Sequence, residues 1–209
     1  MRKKIICLLA VLMAGVMALQ STVAAAHSSQ DEQVGQLLER VAQYVKRLGA
    51  YSADFKVVAG DYSTRGRYDV SGDRYYIVLD QAEVYSDGHV RYEVNGERKE
   101  INVDEVDISS HNILDNPTRC FDFVGSDYVA DIQRREAGRI TIHLRSADSS
   151  VGGDIYLTID SSSARPIRLE YHLYDDVIEV DILSLAALKG SVKTFAERAY
   201  SGYDMIDFR

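Results

Sequence analysis

Residues 83–103 read EVYSDGHVRYEVNGERKEINV, and their rhythm decides the fold. Apolar and polar residues alternate in short runs rich in Tyr, Val and Ile, the signature of strands covered on one face. Between the runs stand Asp87-Gly88 and Asn95-Gly96. These pairs suit type I′ hairpin turns, in which both central residues need positive φ. The stretch therefore predicts three antiparallel strands, Glu83–Ser86, His89–Val94 and Glu97–Val103.

The same reading extends outward. Upstream, Ser52–Ala59, Arg65–Val70 and Arg74–Leu79 alternate with period two, and Ser71-Gly72-Asp73 supplies another tight turn. Downstream, Asp127–Arg134, Arg139–Arg145, Gly153–Asp160, Pro166–Leu173 and Val177–Leu183 repeat the pattern, and Tyr203–Phe208 forms a last strand. Ile140, Ile142 and Leu144 face one way, with Thr141, His143 and Arg145 facing the other. One apolar and one wet face per strand marks an antiparallel sheet covered on a single side. A sheet of about 11 strands cannot stay flat and curls toward a barrel.

Before the strands comes a helix. Val34, Leu37, Leu38, Val41, Tyr44, Val45 and Leu48 recur at helical spacing as one stripe. Ser29 and Glu32 have capping-box spacing, and Gly49 stands where a left-handed residue lets the chain leave the helix. The stretch from Asp104 to Ser126 breaks the strand rhythm. Asn116-Pro117 suits the start of a short helix, and Ile113, Leu114, Cys120, Phe121 and Phe123 make the segment too apolar for a solvated loop. It reads either as a permanent plug on the concave side of the sheet or as a lid over a ligand cavity.

The first 26 residues are a separate matter. Arg2, Lys3 and Lys4 precede an apolar run from Ile5 to Leu19, and Ala24, Ala25 and Ala26 follow. This is the three-part pattern of a cleavable secretory signal. The run is short against the about 20 residues that a membrane-spanning helix needs. Residues 27–209 then form a single domain. The formal net charge of −8 argues against a nucleic-acid partner, which would require a basic face. Cys120 is the one cysteine beyond the signal, so no intramolecular disulfide is expected, and it reads as a buried structural thiol. His89, His111, His143 and His172 are scattered without zinc-site spacing, and no nucleophile elbow or phosphate loop is present. No catalytic residue, metal or cofactor is expected.

YSADF (residues 51–55) after the helix, GRYDV (66–70) before the strand Arg74–Leu79, SDG (86–88) before a strand with Tyr92, and ERKEINV (97–103) before a short helical stretch together resemble the LolA-type carriers of bacterial outer-membrane lipoproteins. The order of elements matches over nearly all of residues 27–209. The resemblance implies a half-open antiparallel β-barrel, with an N-terminal helix and a short helical lid on its concave side. It implies a periplasmic, monomeric carrier of acylated lipoproteins, served by an inner-membrane release complex and an outer-membrane receptor. A binder of free lipid or glycolipid and a periplasmic regulator on the same fold are the alternatives. The chain departs from the family at one place: an Arg before a Pro that helps lock the lid is absent, and Gly72-Asp73 stands there.

On this reading the acyl cavity is lined by Phe55, Val57, Tyr75, Ile77, Tyr92, Val94, Ile101, Val103, Ile142, Ile155, Leu157, Leu169 and Val180. Ile113, Leu114, Phe121 and Phe123 belong to the lid.

Overall fold

A computed structural model describes residues 31–125, 127–148 and 153–209. The signal segment and Ser29 of the expected capping box lie outside the described residues.

Helix α1 covers residues 31–48. Its stripe is buried at Val34, Leu37, Leu38 and Val41, while Tyr44, Val45 and Leu48 pack half-buried on the same core. Gly49 ends it with φ 67° and donates its amide to Lys46 O.

Twelve strands follow: β1 (Tyr51–Ala59), β2 (Tyr62–Ser71), β3 (Arg74–Leu79), β4 (Ala82–Ser86), β5 (Val90–Asn95), β6 (Glu100–Glu105), β7 (Tyr128–Glu136), β8 (Arg139–Ser146), β9 (Asp154–Asp160), β10 (Pro166–Leu173), β11 (Asp176–Ala187) and β12 (Asp204–Asp207). They form one sheet in the order β12-β6-β5-β4-β3-β2-β1-β11-β10-β9-β8-β7. Each half is a meander, and the β1–β11 pair, with Val57 opposite Val180, joins the halves into one surface. Edge strands β7 and β12 do not pair with each other, so the barrel is open. All pairs are antiparallel except β12 on β6, which is parallel. Among the described residues no helix is long and apolar enough to cross a membrane.

The turns differ in detail from the expected type I′ pairs. Asp87 and Asn95 each turn a side-chain oxygen back onto two amides, of His89 and Val90 and of Glu97 and Arg98. The side chain thus closes a longer loop, the Asx-turn role open to either residue. Gly72 has positive φ at the first central position of its turn, whereas both residues of Ala137-Gly138 do. The type I′ dihedrals fall at a pair whose alanine concealed them.

The apolar face changes side along the sheet. From β4 through β1 and β11 to β7 it points inward, toward α1. On the inward face of β5 and β6 stand Arg91, Glu93, Asn102 and Asp104, in register with Ser86 and Val84 of β4. Their apolar residues point outward and are covered by residues 188–203, where Phe195 stacks on Tyr92 at 4.0 Å between ring centres. This second cluster contains Tyr76, Tyr85, Val94, Ile101, Val103 and Val192, apart from the main core.

Candidate functional site: a plugged apolar floor

The concave face is a continuous apolar floor. Phe55, Val57, Tyr75 and Ile77 from β1 and β3 join Ile142, Ile155, Leu157, Leu169 and Val180 from the second meander in one cluster. Hydrophobic burial holds such a surface out of water. Here α1 and the 106–124 segment do the covering. Phe55, Ile142, Leu157, Leu169 and Val180 are each 0% exposed, so the floor is filled in this state. The structure places nine of the thirteen residues expected at the cavity together in this buried cluster. Tyr92, Val94, Ile101 and Val103 lie elsewhere, in the outward cluster under the C-terminal segment. Their alternation was legible, but the change of covered side between β4 and β5 was not.

The lid residues also come together on the floor. Ile113, Phe121 and Phe123 are buried in the main cluster, and Leu114 packs half-buried against it. The segment takes turns where the spacing predicts a short helix. Asn116 explains this. Its amide nitrogen donates to Asp107 O at 3.1 Å, and its Oδ1 accepts from Thr118 N at 3.2 Å and Thr118 Oγ1 at 2.6 Å. The main chain continues as i→i+3 bonds, Arg119 N to Asn116 O and Asp122 N to Arg119 O, rather than as α-helix.

What sequence reasoning missed is how the plug is held. Tyrosine hydroxyls from three strands of the floor reach its main chain. Tyr51 donates to Pro117 O at 3.2 Å, Tyr75 to Asp115 O at 2.9 Å and Tyr171 to His111 O at 3.2 Å. Tyr171 Oη also accepts from Ile113 N at 3.0 Å. Tyr68 from β2 approaches Cys120 Sγ at 3.9 Å, and that thiol donates to Pro117 O at 3.2 Å. Burial, with the neighbouring Cys120 second, pushes the Tyr51, Tyr68 and Tyr171 hydroxyls well above their ordinary value. Burial raises Tyr75 as well. All four stay protonated and able to donate. Their signal in the sequence was only that tyrosines sat at inward positions where aliphatic residues would pack as well.

One side of the plug meets polar groups. Tyr75 pairs in register with Ser86, and Ser86 with Arg91. Arg91 Nη1 bonds Glu93 at 2.9 Å, yet its Nε is buried without a hydrogen-bond partner. On the other side His111 stacks on Phe123 at 5.1 Å and meets Tyr128 edge-on. Its ring nitrogens lie 3.0 Å from Ser109 O and 2.8 Å from Asp122 O. Burial first, and Arg119 second, hold its pKa below the usual histidine value.

The convex face of the second meander is charged instead. Arg168 bonds Asp181 at 2.6 Å and Glu179 at 3.0 Å, and His143 lies between Asp131 and Asp154. A cleft of about 680 Å³ there is lined by Arg134, Arg139, Thr141, Thr158, Arg168 and Glu170 among others. That chemistry does not suit a hydrocarbon chain.

Among the described residues the architecture is an open antiparallel barrel packed on one α-helix, with an apolar floor under a strand-free cover. The chain matches no protein-family model and no curated protein. Among solved structures it is similar to an uncharacterized conserved protein from Thermus thermophilus, at 8% identity and a TM-score of 0.52, over 84% of this chain and 99% of that one. That likeness concerns the fold. Its structural neighbours include a LolA superfamily protein from Nitrosomonas europaea, at 11% identity and a TM-score of 0.40, over 79% of this chain and 96% of that one. LprF from Mycobacterium bovis is another, at 13% identity and a TM-score of 0.41, over 76% of this chain and 96% of that one.

Proposed function

We propose that the protein is an exported, periplasmic carrier that shields the acyl chains of lipoproteins between the inner and outer membranes, with no chemical step of its own. The observation that carries this reading is the cover itself. A floor spanning both meanders is sealed by a strand-free segment that touches it through a few apolar side chains and through hydroxyls aimed at its main chain. Such a cover leaves without breaking a single ladder of the sheet.

The energies support exchange. A 16-carbon chain gains on the order of 12 kcal/mol on leaving water. Ile113, Phe121 and Phe123 give the plug about 1.5–3 kcal/mol each, and its tyrosine hydrogen bonds about 1 kcal/mol each. The plug's hold is then about 9–13 kcal/mol. The two agree to within a few kcal/mol, so an acyl chain replaces the plug without being trapped. Loading would come from an inner-membrane release complex and unloading from an outer-membrane receptor.

The test is lipoprotein release. The protein, expressed from its full coding sequence and purified from the exported fraction, is added to spheroplasts, and the soluble fraction is probed for acylated protein in complex with it. Release is expected, and Phe121→Asp with Phe123→Asp is expected to abolish it while the far-ultraviolet circular dichroism stays that of a β-barrel. A folded protein that takes up a fluorescent fatty acid but releases no lipoprotein would assign free lipid as the cargo instead.

A further inference from the structure

The plug occupies the floor much as a ligand would, and the groups that hold it say what that ligand must offer. Tyr51, Tyr75 and Tyr171 direct their hydroxyls at carbonyl oxygens of Pro117, Asp115 and His111. All three residues are fully or almost fully buried and stand on an otherwise apolar surface. Beside Tyr75, in register through Ser86, Arg91 Nε is buried with no acceptor. When the plug leaves, these donors lose their partners, and a buried donor without a partner is costly. A pure hydrocarbon would cover the floor but leave every donor unpaired.

We propose that the three tyrosines and Arg91 form a carbonyl clasp, which selects acyl chains joined through an ester or amide over plain hydrocarbon. The inference rests on the acyl-carrier reading and specifies the chemistry of its site. The plug's peptide carbonyls stand in for the linkage carbonyls of the cargo. Tyr75 and Arg91 lie together at one side of the plug, so a linkage carbonyl there meets two donors, while Tyr51 and Tyr171 serve carbonyls of further chains. A cargo with several linked chains satisfies the clasp better than one with a single chain.

The test compares three probes on the exported protein, each displacing a fluorescent acyl probe: dodecane, methyl laurate and N-methyl lauramide. Each carbonyl compound is expected to compete at least about tenfold better than dodecane, since it pairs donors that dodecane leaves bare. In the double variant Tyr75→Phe/Tyr171→Phe, which keeps the ring volumes, that preference is expected to shrink to within about threefold. Equal competition by dodecane and the carbonyl probes in the parent protein would overturn the clasp and leave the acyl carrier standing. An undiminished preference in the double variant would overturn it too. Failure to take up the acyl probe at all would overturn both readings together. Where the preference is seen, a synthetic N-acyl, S-diacylglyceryl cysteine peptide and phosphatidylethanolamine in one non-ionic detergent separate the two natural sources of such carbonyls. Whichever of the two is held more tightly names the cargo, and binding of both is expected to weaken in the double variant.

Discussion

Cys120 offers a direct measure of plug opening, because it is 0% exposed and belongs to the segment that would move, its thiol turned toward Tyr68 of the floor. Burial also pushes its thiol well above the ordinary value, so in the closed state it is both unreachable and unionised. Labelling by a maleimide then proceeds only from open molecules, at the free-thiol rate multiplied by the open fraction. Tyr75→Phe removes the bond to Asp115 O, a net loss of about 1 kcal/mol, so labelling is expected to rise about fivefold. Adding Tyr171→Phe removes two further bonds, to His111 O and from Ile113 N, for a rise on the order of a hundredfold. Replacing Cys7 with Ser leaves Cys120 as the one cysteine. Tyr62→Phe serves as control, since that half-exposed hydroxyl bonds Asp80 at a turn remote from the plug. Variants that label no faster than this control, or a parent protein that labels like a free thiol, would refute the account of how the plug is held.

Other perturbations probe the frame and the pH response. Gly66→Ala would place a Cβ 2.6 Å from Phe55 Cζ and 2.8 Å from Val78 O, so a loss of about 1–3 kcal/mol in urea unfolding is expected. Leu157→Ala opens a cavity in the middle of the floor and is expected to cost about 2–5 kcal/mol by the same measurement. His111 has a folded pKa held below its unfolded value, first by burial and then by Arg119. Its neutral form favours the native state, so that contribution is whole above the unfolded pKa of about 6.5 and declines as pH falls below it. Between pH 7.5 and 5.5 the urea midpoint of the parent protein is therefore expected to fall further than that of His111→Asn.

Legibility in the sequence followed the range of the interactions. The strands and their antiparallel neighbours along each meander were readable because alternation and turn residues are local: Arg74–Leu79 and Pro166–Leu173 match the structure at both ends, while the β1–β11 junction and the parallel β12 depend on distant contacts that no local pattern records. The stripe of α1 was readable for the same reason. The side toward which each strand turns its apolar residues is not local. Tyr92 and Val94 alternate as cleanly as Tyr75 and Ile77, yet one pair meets Phe195 and its neighbours while the other meets the plug. Only the C-terminal segment decides this, and its irregular backbone carries no period to read. The plug's shape was hidden because Asn116 spends its side chain on Asp107 O, nine residues back, as well as on the local turn.

Main-chain carbonyls as the anchoring points of the plug have a consequence for how closure and selectivity are linked. A plug held by side-chain burial alone would compete with any hydrocarbon in kind, and contact area would decide the exchange. Donors fixed on the floor change that. Each hydroxyl contributes to closure only while it has an acceptor, and the entering chain must supply one or bear the cost of a buried, unpaired donor. The same tyrosines that keep the empty protein closed therefore set what is able to open it. Weakening them eases opening and blunts selection together, so the labelling rate of Cys120 and the preference for carbonyl-linked chains should move in opposite directions across a series of Tyr→Phe variants at positions 51, 75 and 171. A variant that opened freely yet kept the full preference would separate the two, and would place selection outside the floor.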